Sequence, residues 1–498
     1  MRGFGMPGLS LFKDSEEEKL LMNKKQIICD YIEKNKERFI GVSDKIWGYA
    51  ELGFEEHQSA QLLCSELSRE GFTIQTGIAG IETAFVASYG SGSPVIAILA
   101  EYDALSGLSQ ERAIPVKKAL SKGASGHGCG HNVLGAGSMA AALAVKEYLS
   151  RTGTKGTVRL YGCPGEEYGA GKTFMVREGC FEGVDIALCW HPSDTTSIWG
   201  VSSLANISVY FRFTGKASHA AATPFLGRSA LDAVELMDIG ANYLREHIIP
   251  EARLHYAITD PGGSSPNVVQ PQAEVHYFIR SPKAPQAQEI YGRLCDVAKG
   301  AALMTGTVCE ILFDEALSDY IPNKTVGKVL YQNLIEAGPP AFDEQDYALA
   351  EAFRSTFDAA CIQSSIAQIG YFQGAETANK MAGRALWDGI GTFFHIDAPI
   401  PGSTDVGDVS YVVPTAQIVV AASALSTPSH SWQNTAQMSS PLAYKALVTA
   451  AKALGMAAAD LLQNPQTVEE AKRELFAKTH GEYICPIPAD VRPNAIKG

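Results

Sequence analysis

The sequence predicts an α/β protein built in two parts. One is a split α/β layer with a mostly parallel sheet flanked by helices; the other is an inserted ferredoxin-like α+β unit. Three observations predict this. Short apolar runs alternate with helical stretches between residues 83 and 192, which is the pattern of strands with crossover helices. From residue 203 the texture changes to an alternating run, an amphipathic helix, two strands, a second helix and a last strand, the β-α-β-β-α-β order. After residue 318 the helices and loops of the first texture return. The expected division is therefore 16–202 for the first part of the split layer, 203–318 for the insert and 319–498 for the second part.

In order along the chain, "KKQIICDYIEKNKERFIGVSDKIWGYAEL" and "EHQSAQLLCSELSREGF" carry apolar residues at helical spacing, with Gly71 closing the second helix. "TAFVASY", "PVIAILAEYDAL", "GTVRLYGCPGEE" and "VDIALCWHP" read as strands, and residues 135–151 as a helix between them. In the insert, "ANISVYFRFTG", "RLHYAITD", "AEVHYFIRS" and "TVCEILFDEAL" read as strands, and "GRSALDAVELMDIGANYLREH" and "PQAQEIYGRLCDVAKGAALMTG" as helices. "NKTVGKVLYQNLIEA" and "DEQDYALAEAFRSTF" follow as helices, then "DAPIPGSTDVGDVSYVVP" as a Gly/Pro-rich loop and "PLAYKALVTAAKALGMAAADLLQ" as the closing helix.

The 498 residues allow two or more domains. A formal net charge of -13 argues against nucleic acid and anionic membrane surfaces as partners. No apolar run is expected to span a membrane. The start, "MRGFGMPGLSLFKDSEEEKLL", reads as a loose leader and not as a signal peptide. Ten scattered cysteines without CxxC spacing suggest reduced thiols and a cytoplasmic location.

The chemistry gathers at strand exits, where open α/β sheets collect their ligands. "ASGHGCGHNVLGAGS" places His127, Cys129 and His131 at alternate positions on a glycine ribbon before an Ala-rich helix. Thiolate and imidazole are strong ligands for zinc-like ions. "CPGEEYGAGK" supplies adjacent Glu166 and Glu167, which repel each other unless a cation lies between them or one stays protonated. One could bind a metal while the other takes a proton from water. "LAEYDAL" delivers Glu101 and Asp103 two apart, able to ligate or to orient a ligating His from behind. His191 ends an apolar run in "IALCWHPSD", and His430 stands in "STPSHSWQNTAQ". Taken singly, each has a bland alternative as a solvated turn residue; taken together, they are all metal-ligand types at strand exits or turns.

Together, "GHGCGHN", "PGEEYGAGK", "CWHP", "GKASHAAATPFLGRSALDAV", "PNVVQPQAEVHYFIRS" and "GSTDVGDVSYVVP" resemble the aminoacylase-type metallopeptidase family. The chain looks most similar to its aminobenzoyl-glutamate hydrolase branch, over roughly residues 25 to 465. The resemblance implies a metal-dependent hydrolase that cuts an amide beside a free carboxylate, with the insert as a lid or dimerisation domain of a homodimer. It implies Cys129, His131, Glu167, His191 and His430 as metal ligands and Glu166 as general base. It implies His219 as a polariser of the scissile carbonyl, often from the partner protomer, and Asn267 and Arg280 as holders of the substrate carboxylate. Glu101, Asp103 and His127 would support the ligands. Many relatives carry His-x-Asp at Glu101-x-Asp103, and Asp at Asn132, so the resemblance leaves open one or two ions, zinc or manganese. Alternatives are hydrolysis of acyl-aspartates or of β-alanyl-type dipeptides and, from another class, a binding scaffold that has lost catalysis.

Overall fold

The computed structural model describes residues 16–493; the leader reading for residues 1–15 lies outside them. The chain opens with α1 (Glu16–Tyr49) and α2 (His57–Arg69), followed by β1 (Thr73–Thr76), β2 (Phe85–Ser91) and β3 (Val95–Ala100). Then come α3 (His131–Thr152), β4 (Gly156–Gly162), α4 (Gly171–Arg177), β5 (Ile186–Ser193), β6 (Ser197–Ile198) and β7 (Val201–Ser202). The insert runs β8 (Ala205–Thr214), α5 (Ala230–Leu244), β9 (Arg253–Asp260), β10 (Gln272–Ser281), α6 (Ala284–Thr305) and β11 (Val308–Leu317). The return comprises α7 (Lys324–Ala337), α8 (Glu344–Arg354), α9 (Ala359–Gln373), α10 (Ala375–Met381), β12 (Ile396–Pro399), α11 (Val406–Val412), β13 (Thr415–Ala421), α12 (Trp432–Gln437), α13 (Pro441–Gln463) and α14 (Pro465–Thr479).

The main sheet has the order β1-β2-β4-β3-β5-β13-β6. Its four central strands, β4, β3, β5 and β13, are parallel, while β1, β2 and β6 add antiparallel edges. The expected mostly parallel sheet is thus parallel at its centre, where helices cover the strands. The central strand β3 is buried at every position, as a strand covered on both faces must be. All four parallel strands point their carboxyl ends the same way, so the loops that follow them share one edge.

Three corrections concern the return segment. Part of the expected Gly/Pro-rich loop folds as β12 and α11, and "TAQIVVA", for which no element is expected, is the central strand β13. Residues 359–381 form two more helices, and α14 follows the expected closing helix. Their burial depends on partners remote in sequence, which local periodicity does not report. The third correction is α13, which is long and apolar enough by composition to cross a membrane, contrary to expectation. Its most apolar window is 78% buried inside the fold, as a core helix packed on α3 and α7.

The insert closes a four-stranded sheet of order β11-β8-β10-β9, all antiparallel, with α5 and α6 on one face. Ile207, Val209, Phe211 and Phe213 alternate into its core opposite Val275, Tyr277 and Ile279. The connections leave and return side by side: Ser202 Oγ donates to Tyr320 O at 2.7 Å, and Tyr320 N donates to Ser203 Oγ at 3.1 Å.

Asp238 of α5 lies within that core and accepts the Tyr277 hydroxyl at 2.5 Å. Burial pushes its carboxyl from 3.8 up to about 6. The folded chain therefore holds this proton more tightly than the unfolded chain, and the site costs stability as pH rises from about 4 to 6. Asp238→Asn keeps an acceptor and removes the charge. It should raise the thermal midpoint above pH 6, by roughly 2 kcal/mol of stability at most, and leave it unchanged near pH 4. A melting series over pH 4–8 showing no gain at pH 7 would refute this.

Candidate active site

Each parallel strand delivers one part of the site. The loop after β3 carries Glu101 and Asp103, the loop after β4 carries Glu166 and Glu167, β5 itself carries His191, and the loop after β13 carries His430. Between β3 and β4, the glycine ribbon brings Cys129 and His131 to the start of α3. Gly130, with φ +82°, turns the chain into the helix; a Cβ there would press on Met438 and Pro192. Further along, a Cβ at Gly135 would come within 2.6 Å of Glu101 O, so the small-residue face lets α3 lie directly on the end of β3.

The ligand-type side chains converge in three groups, each with its atoms within 4.8 Å of one another: Cys129, His131 and His191; Cys129, Glu167 and His430; and Glu101, His131 and Glu166. Cys129 Sγ lies 3.4 Å from His191 Nε2, and His430 Nε2 lies 3.4 Å from Glu167 Oε2. Asp103 holds two of these residues at once. One oxygen takes His131 Nδ1 at 2.7 Å, and the other accepts the Glu167 backbone N–H at 2.8 Å. That contact turns His131 Nε2 inward, where it is buried with no hydrogen-bond partner; Glu167 Oε1 is likewise unpartnered. His191 gives Nδ1 to Pro192 O at 2.7 Å, which leaves its Nε2 lone pair facing Cys129.

Electrostatics match that geometry. Burial and the neighbouring Glu101 and Glu167 push Glu166 well above the usual carboxylate range, and burial raises Glu167 as well. Burial and the nearby His131 lower His191 to about 4, so its ring is a neutral donor of electron pairs. A cation among these atoms would relieve the repulsion between the carboxylates and pair the orphaned nitrogen and oxygen. The residues present therefore fit a divalent metal, and two of the three groups share the thiol.

The other expected residues fall as follows. His127 is buried, meets Ile46 O through Nε2 at 3.0 Å and belongs to none of the three groups; burial pulls it down to about 4. Asn132 ties the start of α3 to Ser43 Oγ and Met438 O. Arg280 on β10 is half-buried and donates to Ser403 Oγ at 2.7 Å, beside the loop that leads into α11. His219 and Asn267 are exposed on the insert, next to each other through the Ala220 N to Asn267 O bond of 2.9 Å. His219 Nδ1 accepts from Ala221 and Ala222 N–H, and His219 belongs to none of the three groups.

Sequence reasoning missed four residues. Lys172 and Asp405 lie inside the motifs that carry the family resemblance, yet nothing local gives them a role; they form a buried ion pair with Glu101. Glu56 accepts Gly165 N–H at 2.8 Å, and Glu315 of β11 accepts Gly169 N–H, so a buried carboxyl grips each end of the loop bearing Glu166. Burial raises both carboxyls to about 8, with Asp103 adding to the effect at Glu56 and Asp314 at Glu315. No local signal marks an isolated acid as buried.

A cavity of about 490 Å³ opens against Cys129 and His191. Its walls include Trp199, Phe372, Trp387 and Phe394, with Ser365 and Gln368 from α9.

Residues 97–456 match the peptidase family M20/M25/M40. The chain belongs to that family. It is 45% identical over 476 residues to the B component of the p-aminobenzoyl-glutamate hydrolase of Escherichia coli K12, covering 95% of this chain and 99% of the relative. It is 28% identical to the mouse Xaa-Arg dipeptidase, over 92% of this chain and 94% of that one. Among solved structures, the Bacillus subtilis YXEP protein, a dinuclear metal-binding M20 peptidase, superposes with a TM-score of 0.53 at 19% identity, covering 86% of this chain and 99% of that one. With the family shown, the chain is a metal-dependent amidohydrolase acting on a small-molecule amide.

Proposed function

We propose that this M20 amidohydrolase cleaves N-acyl amino acids whose acyl group is aromatic, of the aminobenzoyl-glutamate type, using two ions that share Cys129. The observation that carries the reading is the aromatic-walled cavity opening on Cys129 and His191. Its size suits a small ligand. Trp199, Phe372 and Phe394 offer flat apolar surface to a ring, and Ser365 and Gln368 offer neutral hydrogen bonds to its substituents. The E. coli relative supports the same substrate class.

Cys129, His131 and His191 would hold one ion, and Cys129, Glu167 and His430 the other. Bound there, the ions would acidify a water and polarise the scissile carbonyl. Thiolate and imidazole favour zinc, while the carboxylate also accepts manganese. Glu166 would take the proton of the attacking water and return it to the departing amine. Arg280, with its planar fork, suits the substrate carboxylate, and Asn267 would assist. We read the insert, residues 203–318, as the unit that presents His219 and Asn267 to the site of a second copy, since both are exposed and neither belongs to the three ligand groups. The E. coli relative is the B component of its enzyme, which leaves a related A component as the rival partner; the E. coli A component is itself 26% identical over 53% of this chain. Light scattering of the purified chain decides: a homodimer supports the reading, and a monomer active only with an A component refutes it. The acidic charge and ten free thiols support a cytoplasmic setting.

Phe372→Ala tests the pocket. Removing a ring face should raise KM for aminobenzoyl-glutamate by roughly tenfold, equivalent to about 1.4 kcal/mol, while acetyl-glutamate is hardly affected. Equal effects on both substrates would place the acyl group elsewhere. A panel including acyl-aspartates, β-alanyl dipeptides and Xaa-Arg dipeptides ranks the alternatives. Any of these outrunning aminobenzoyl-glutamate overturns the substrate assignment.

A further inference from the structure

His131 faces two cation positions with one nitrogen. Its Nδ1 is committed to Asp103, so Nε2 alone serves both the group with Cys129 and His191 and the group with Glu101 and Glu166. Nε2 lies 3.4 Å from Glu101 Oε2 and 3.8 Å from Glu166 Oε2. One lone pair can bind one ion. On donor chemistry alone, the group of two carboxylates and an imidazole is as good a site as either group built on Cys129. An ion there would also occupy Glu166, the residue needed to carry the proton.

Lys172 is what separates the third group from the other two. It is fully buried, and its Nζ lies 2.7 Å from Glu101 Oε1 and 2.5 Å from Asp405 Oδ1. Asp405 grips the same residue twice, since its other oxygen accepts the Lys172 backbone N–H at 2.8 Å. The ammonium therefore cannot swing away: the backbone at the start of α4 and the carboxylate before α11 hold it from both ends. Glu101 is thus already paired with a cation that belongs to the protein. A metal ion on its other oxygen would sit one carboxylate away from a fixed positive charge, in a region where water screens little.

We propose that Lys172 is a built-in cation that closes the third position, confining metal ions to the two groups that share Cys129 and leaving Glu166 unligated. It acts as a positioning residue: it touches neither substrate nor ion and works through Glu101. The two groups drawn from one histidine are thereby made unequal, and Nε2 of His131 is directed to the ion it shares with Cys129 and His191.

The inference rests on the metal reading above, so the experiment separates the two. Full-length protein is stripped with chelator and dialysed against Mn²⁺ or Zn²⁺, and metal per chain is counted by elemental analysis, with affinities from calorimetry. Wild type should hold two ions. Glu101→Gln should also hold two, with affinities within about threefold of wild type, because Glu101 is not a ligand. Lys172→Met should gain a third, weaker ion on the Glu101 and Glu166 carboxylates, with His131 Nε2 staying on the first ion, visible also as a larger metal-induced rise in melting temperature than in wild type. Adding Glu101→Gln to Lys172→Met should return the count to two. If Lys172→Met does not fold, Glu101→Gln still decides: loss of an ion in that variant makes Glu101 a ligand and overturns the proposal. A folded Lys172→Met chain holding two ions overturns it as well. A wild type that takes up no ion instead sinks the metal reading of the whole site.

Discussion

Cys129→Ser should lower turnover by about three orders of magnitude or more and strip both ions. The size follows from the sharing of one sulfur. Every other side chain of the two Cys129 groups belongs to one of them, so its loss would weaken one position; Cys129 belongs to both. Serine keeps the shape of the side chain but offers a hydroxyl that stays protonated and binds zinc-like ions poorly. Each position then retains two ligands, His131 with His191 and Glu167 with His430. Without the ions nothing would acidify the water, and the largest part of the rate advantage should go with them. Elemental analysis beside steady-state kinetics on aminobenzoyl-glutamate is the measurement. His430→Ala is the comparison, expected to lose one ion and keep the other. A Cys129→Ser protein with two tightly held ions and near-normal turnover would dismantle the site as described.

Glu166→Gln is the second large effect, and it has the opposite metal signature. The amide preserves volume and cannot accept a proton, so kcat should fall by about 10²–10⁴, with metal content unchanged and KM shifted little. Glu166 suits proton work because burial beside Glu101 and Glu167 raises its carboxyl, bringing its proton affinity nearer to that of the groups it exchanges with. Its loop is also held rigid at both ends, by Glu56 at Gly165 and by Glu315 at Gly169. Wild-type turnover in Glu166→Gln would hand the proton to another group. Loss of metal in that variant would make Glu166 a ligand and would also contradict the role given to Lys172.

Much of this arrangement is visible in the sequence for a simple reason. A parallel strand buried on both faces is a run of apolar residues, and the first polar residue after it must lie at the sheet edge where such folds collect ligands. "VIAILAEYD", "RLYGCPGEE" and "IALCWHP" therefore announce both a strand and what it delivers. The strand order of the insert is readable for the same reason, since alternation and helical spacing are local patterns. The strand "TAQIVVA" carries the same kind of apolar run, residues 418–422 after Pro414, and is readable in the same way, although no element is expected there. What it delivers is not readable, because His430 comes nine residues after β13 ends. The helices of residues 359–381 are invisible as a pocket wall, because their function depends on what they face.

By itself, then, the amino-acid order determined which chemical groups stand at which strand ends, and that the chain folds as an interrupted α/β layer of the M20 kind. Only the folded chain decided how those groups are shared. That one sulfur belongs to two clusters of ligand-type atoms, that Lys172 pairs with Glu101, and that Asp103 couples His131 to the backbone of Glu167 all depend on contacts between separate segments of the chain. Periodicity and spacing record what a residue's neighbours along the chain do with water. They hold no record of which distant charge will come to stand beside it, and in a buried cluster that distance sets both the charge and the task of each group.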